Sequence, residues 1–182
     1  MADASAQVQR AHDTAHALFD RYADVFAADL PIYRGHVHRV IGLVGLQCDV
    51  SEAAAAPLGL AAFFHDAGIW FDHTWDYLAP SVRRALADLS PADTAQAELV
   101  SALISEHHRL RRARHSDPLV EAFRRADLID ITAGLISAGV PREQYRTLVE
   151  TYPSRGFRPM LLKAFGRGLR ESSWNPMPMM KF

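Results

Sequence analysis

The chain has 182 residues, 49% of them hydrophobic and 23% charged, which is close to the soluble globular average and excludes wholesale disorder or a fibrous repeat. Its 20 Lys and Arg against 21 Asp and Glu give a formal net charge of -1, which disfavours nucleic acid as the main partner. A single cysteine, Cys48, excludes both an intramolecular disulfide and a thiolate zinc cluster.

The periodicity is helical nearly throughout, so the expectation is an all-α, compact multi-helix bundle formed by one domain over 1–182. A first helix is expected from about Ala6 to Ala28, and a second from Pro31 to about Cys48. Ser51 opens a third, which ends at the glycine of His65-Asp66-Ala67-Gly68. Ile69 to Tyr77 reads as an aromatic loop. Further helices are expected after Pro80, after Pro91, from Asp117-Pro118, from Pro141 and after Gly156, followed by an irregular, methionine-rich tail. The near-apolar stretch Ala53 to Phe64 is too short for a bilayer, and MADASAQVQR is not an export signal. The expectation is a cytoplasmic, reduced protein with no membrane partner.

Nine histidines is the unusual count. Helical geometry shows which of the polar residues face inward, because each residue advances the helix by roughly 100°. With Val120 at zero, Phe123, Ile131, Gly134 and Leu135 lie within roughly 60°, and Asp127 lies at roughly −20°, in the middle of that apolar stripe. Asp130 falls at its edge. A carboxylate aimed into a core is costly unless it is paired, hydrogen-bonded or bound to a metal. His107 continues the buried line of Val100, Leu103 and Ile104, with His108 roughly 100° further round. His36 lies nearer than His38 to the apolar face of Val37, Val40, Ile41 and Val44. His12-Asp13, beside His16, reads as solvated surface. His36, His65, Asp66, His107 and Asp127 thus come from four helices, and one divalent ion would satisfy them together.

The order His36…His65-Asp66…Asp127, with His36-Val37-His38-Arg39-Val40 at the first element and Ala126-Asp127 at the last, resembles the HD-domain superfamily of metal-dependent phosphohydrolases. The resemblance spans roughly residues 30 to 140. It implies an HD-type helical bundle in which His36, His65, Asp66 and Asp127 hold a divalent ion (Zn, Mn, Fe, Co, Ni or Mg). It also implies that His107 and His108 hold a second ion or meet a substrate phosphate. Many members carry Lys or Glu three residues after the dipeptide aspartate. Here that position is Ile69, followed by Trp70 and Phe71, and the nearest polar replacements are Asp72, His73 and Asp76.

Such a centre can activate water for hydrolysis at neutral pH. The leading reading is a phosphohydrolase acting on a small, anionic, phosphorylated or nucleotide-like substrate. Asp66, His107 and His108 are its expected catalytic groups. Arg39 and Arg124, near the ligands in sequence, are expected at anionic substrate oxygens, and Asp72, His73 and Asp76, the replacements for the missing Lys or Glu, are expected as further substrate-binding residues. The basic run from His107 to His115 reads either as a solvated helix end or as an anion-collecting rim. The alternatives are a di-iron oxygenase or nitrile- or cyanamide-type hydratase on the same scaffold, and a non-catalytic, metal-stabilised regulatory module. A homo-oligomer stays open.

Overall fold

The computed structural model describes residues 2–90, 95–154 and 156. Pro91, the helix expected after Gly156 and the methionine-rich tail lie outside the described residues. Helices run over Ala2–Arg21 (α1), Ala23–Phe26 (α2), Leu30–Gly45 (α3), Glu52–Phe64 (α4), Gly68–Phe71 (α5), Leu78–Asp88 (α6), Ala97–Glu106 (α7), Pro118–Ile131 (α8) and Arg142–Thr151 (α9), with a 3-10 turn at Ala27–Asp29. Among the described residues there is no strand, so the fold is an all-α multi-helix bundle. No helix among them is long and apolar enough to cross a membrane.

The apolar helix α4 forms the centre. Nearly all of its side chains are buried, the pattern of a helix surrounded by others. It packs against α1, α3, α6 and α7, and α3 in turn packs against α8. Ser51 caps α4, its hydroxyl accepting from Ala54 N. Asp117 caps α8 by accepting from Leu119 N at 2.8 Å, and Pro118 occupies the first turn.

Three boundaries differ from the expectation. The first helix ends at Arg21, and the chain re-forms as α2 and a 3-10 turn. This break includes Ala27 at a left-handed φ of 46°. It lets Phe26 turn inward, where its ring lies 5.1 Å from Tyr33 and 5.6 Å from Phe63. Gly68 does not cap α4 in the left-handed region but begins α5. A Cβ at Gly68 would sit 2.8 Å from Tyr77 O, so glycine is needed there for close approach. Finally, α7 stops at Glu106, leaving His107 and His108 in the following turn.

His12 is buried rather than solvated. Its Nδ1 lies 2.8 Å from His38 Nδ1, and both rings stack on Tyr152. The polar look of α1 hid this contact because its partners are far away in sequence. Burial lowers the His12 pKa from 6.5 to about 4, against the opposing effect of Asp13. The unfolded chain therefore takes up a proton that the folded chain refuses. Stability contributed by neutral His12 is complete above about pH 6.5 and is lost as pH falls to about 4, by roughly 3 kcal/mol. In urea titrations between those pH values, His12→Phe is expected to show a flatter stability profile than the parent; an unchanged slope would contradict this account.

The backbones of α1 and α4 meet at Gly59, where an added Cβ would collide with Ala11 O and Thr14 Cβ. Gly59→Val is expected to destabilise the fold by about 1–3 kcal/mol, measured from the urea midpoint, because it must push α1 away.

Candidate metal centre

Four helices deliver imidazoles and carboxylates to one buried point. His36 comes from α3, His65 and Asp66 from the turn after α4, His107 and His108 from the turn after α7, and Asp127 from α8. His36 Nε2 lies 3.0 Å from His65 Nε2, 3.4 Å from Asp127 Oδ1 and 3.9 Å from Asp66 Oδ2. His65 Nε2 is 3.3 Å from Asp66 Oδ2 and 3.9 Å from Asp127 Oδ1. On the other side of Asp66, Oδ1 lies 3.3 Å from His107 Nε2 and 3.8 Å from His108 Nε2.

The outward nitrogens fix what the inward ones present. His65 Nδ1 donates to Ala62 O and His107 Nδ1 to Ile104 O, each at 2.7 Å, and a carbonyl can only accept. His36 Nδ1 donates to Asp130 Oδ2 at 2.7 Å. In their neutral forms these three rings therefore aim Nε2 lone pairs at one another and at carboxylates. Asp66 Oδ1, Asp127 Oδ1 and His107 Nε2 are buried without a hydrogen-bond partner. Orphaned buried groups of this kind are costly, and here a cation would satisfy them all.

The donor set fits a metal. A tetrahedral ion with bonds of about 2.1 Å places its ligand atoms about 3.4 Å apart, close to the separations found here. His36, His65 and Asp66 offer ligand atoms within 4.8 Å of one another, as do Asp66, His107 and His108, so Asp66 belongs to two cation-sized groups. The buried His/Asp cluster can thus hold a divalent metal ion.

Charge points the same way. Arg39 neutralises Asp130, its Nε and Nη2 donating to the two carboxylate oxygens at 2.6 and 2.8 Å. This leaves the charges of Asp66 and Asp127 to be balanced among the imidazoles, by a proton on His36 or by a divalent cation in its place. Burial disfavours ionised Asp66, but His65 and His107 hold its carboxyl well below the usual range, and Asp127 is lowered chiefly by His36 against the same penalty. Burial likewise opposes the His36 imidazolium, yet Asp127 and Asp130 raise its pKa to about 9. His108 moves the other way, to about 4, through burial and the neighbouring His107.

Comparison with known proteins yields no matching family model, no matching curated protein and no matching solved structure.

Of the residues expected at the site, His36, His65, Asp66, His107, His108 and Asp127 come together. Arg39 and Arg124, expected at substrate oxygens, are placed otherwise. Arg39 is buried against Asp130 and donates to Tyr152 O at 2.8 Å. Arg124 is buried against Glu121 and donates to Arg109 O at 3.1 Å. Asp72 accepts from Arg84 Nε at 2.6 Å, while His73 and Asp76 are exposed in the loop before α6. The structure brings none of these three into a hydrogen bond with the cluster among the described residues.

The basic run forms a pinned loop rather than a helix end. Glu106 accepts from the backbone N–H of Arg114 and His115, and Glu121 from that of Ala113. Burial opposes ionised Glu121, but Arg124, Ala113 and Arg125 push its pKa down to about 2. Arg111, Arg112 and Arg114 remain exposed on this loop, next in sequence to the cluster.

Asp130 is the residue beside the cluster that the helical wheel undervalued. It holds the far nitrogen of His36, a carboxylate–histidine arrangement typical of metal sites. Asp130→Asn is expected to weaken zinc binding by about 10–100-fold, measured by isothermal titration calorimetry; affinity equal to the parent's would remove Asp130 from the centre.

Proposed function

We propose that the chain is a metal-dependent hydrolase, and most specifically a phosphohydrolase acting on a small anionic substrate that is phosphorylated or nucleotide-like. The observation that carries this reading is the convergence of buried imidazole and carboxylate groups in which Asp66 Oδ1, Asp127 Oδ1 and His107 Nε2 make no hydrogen bond. The resemblance of the His36…His65-Asp66…Asp127 series to HD-domain phosphohydrolases agrees with it.

In this reading His36, His65, Asp66 and Asp127 hold the ion. A divalent ion there supplies a water of near-neutral pKa and polarises a phosphoryl oxygen. Hydrolysis places hydroxyl on phosphorus and a proton on the departing ester oxygen. Asp66 accepts the proton from the attacking water, and the leaving oxygen takes its proton from solvent water at the margin of the cluster, where His108 is partly exposed. The exposed Arg111, Arg112 and Arg114 raise the local concentration of an anionic substrate. Ile69 and Trp75 pack with Tyr77 and Leu78 into a small apolar cluster, so the loop at the expected Lys/Glu position contributes an apolar wall.

A second reading, a dinuclear centre with oxygenase or hydratase chemistry, is favoured by the sharing of Asp66 between two cation-sized groups. A non-catalytic module would bind metal and turn over nothing.

Elemental analysis of protein purified without added metal is expected to give about one divalent transition-metal ion per chain. Metal-dependent phosphate release from phosphomonoesters or nucleotides is expected, with a loss of at least about 100-fold in Asp66→Ala. Two irons per chain with substrate-dependent O2 uptake would replace hydrolysis by the second reading. Undiminished turnover in Asp66→Ala would remove the assignment.

A further inference from the structure

We propose that Tyr77 is a positioning residue that donates its hydroxyl proton to His108 Nε2, keeps His108 out of the metal ligand set and fixes its Nδ1–H toward Asp127. The metal-ligand part of this proposal rests on the metal reading of the cluster, whereas the tautomer part does not.

His36, His65 and His107 share one arrangement: Nδ1 is tied to an acceptor outside the centre and Nε2 faces the carboxylates. This is how a protein holds a metal-binding imidazole. His108 departs from it. Its Nε2, the atom that would parallel the other three, lies 2.6 Å from the Tyr77 hydroxyl. That distance is a hydrogen bond, and a nitrogen lone pair engaged by an O–H is unavailable to a cation.

Carboxylates stand equally far from both ring nitrogens, Nε2 lying 3.8 Å from Asp66 Oδ1, but the Tyr77 hydroxyl covers the Nε2 lone pair, which leaves the ring's proton to Nδ1. His108 Nδ1 lies 3.8 Å from Asp127 Oδ2. With the proton on Nδ1, this face is attractive to the carboxylate, and Nε2 is left to accept from Tyr77. In the competing arrangement Nε2–H donates to the phenol oxygen, the phenol turns its proton towards Asp66, and the Nδ1 lone pair opposes the Asp127 carboxylate across that gap.

Tyr77 is itself held firmly. Its carbonyl accepts from Ser81 N at 2.8 Å, and Ser81 Oγ accepts from Gly68 N at 3.0 Å, next to the His65-Asp66 turn. The missing Cβ of Gly68 is what admits the Tyr77 backbone so close. The hydroxyl thus reaches the centre from a segment anchored to the same turn that carries Asp66. His108 is also the cluster's contact with solvent: its side chain is 14% exposed, that of Asp66 7%, and those of His36, His65, His107 and Asp127 2% or less. A substrate reaching the centre meets His108 before the buried ligands.

The test is long-range 1H–15N correlation NMR of histidine-labelled protein, recorded metal-free and after one equivalent of zinc, for the parent chain and Tyr77→Phe. In the parent, His108 is expected to carry its proton on Nδ1 and none on Nε2, with Nε2 unmoved by zinc while the Nε2 signals of His36 and His65 shift. In Tyr77→Phe, His108 is expected to populate both tautomers or to move its Nε2 signal on zinc addition. His108→Ala should keep the parent's zinc affinity, whereas His65→Ala should lose about tenfold or more. A protonated His108 Nε2 in the parent, or an Nε2 signal that responds to zinc as the other histidines do, overturns the proposal. If no histidine responds to zinc, the metal reading fails instead, and the metal-free spectrum of the parent still decides the Tyr77–His108 bond. That spectrum also decides it if Tyr77→Phe does not fold.

Discussion

The centre depends on one carboxylate that does not face it. Asp130 accepts from His36 Nδ1, from Arg39 Nε and Nη2, and from the Tyr145 hydroxyl at 3.2 Å. These contacts bind α3 to α8 and to α9 through fully desolvated, charge-assisted bonds, whose geometry tolerates little displacement. Because Asp130 claims the outward nitrogen of His36, the ring can turn only its other nitrogen to the cluster. Burial opposes ionised Asp130, but His36 and Arg39 lower its pKa to about 2, so the carboxylate stays charged at neutral pH. The arrangement of the buried cluster therefore begins with an ion pair behind it.

The same pairing explains how a core can carry so many acidic groups. Arg39 is among the largest fully buried side chains of the described residues, and its charge cancels that of Asp130. What remains is the pair Asp66 and Asp127, set among His36, His65 and His107, whose Nδ1 atoms are already tied elsewhere. Tyr33 supports Asp66 from below: its hydroxyl donates to Phe63 O at 2.7 Å and accepts from Asp66 N at 3.3 Å. Each of these bonds fixes orientation in a place where water cannot relax around a charge, and that preorganisation is what a cation site requires.

The sequence displayed the inward residues well because position in an apolar stripe is a local property. Asp127 among Val120, Phe123 and Ile131, and His107 after Val100, Leu103 and Ile104, are polar groups where apolar ones belong. The all-helical bundle and the caps at Ser51 and Asp117 were legible for the same reason. Pairings between distant segments were not. Arg39 and Arg124 had the composition of anion contacts, and only their meeting with Asp130 and Glu121 shows that they are structural. His12 looked solvated because its partners, His38 and Tyr152, lie 26 residues away in one case and in another helix's end in the other. Tyr77 gave no signal beyond being one aromatic among several, since a hydroxyl's partner is set by tertiary contact.

The two histidines of α3 have a mechanical consequence. His36 is locked to Asp130 on one side, and His38 is wedged between His12 and Tyr152 on another. A shaft keyed at two angles cannot slip: turning α3 by a single residue, roughly 100°, would tear out both keys together. Register in this helix is thus an all-or-none property. A one-residue insertion or deletion within its middle would not retune the centre by degrees but would uncouple it from the rest of the bundle.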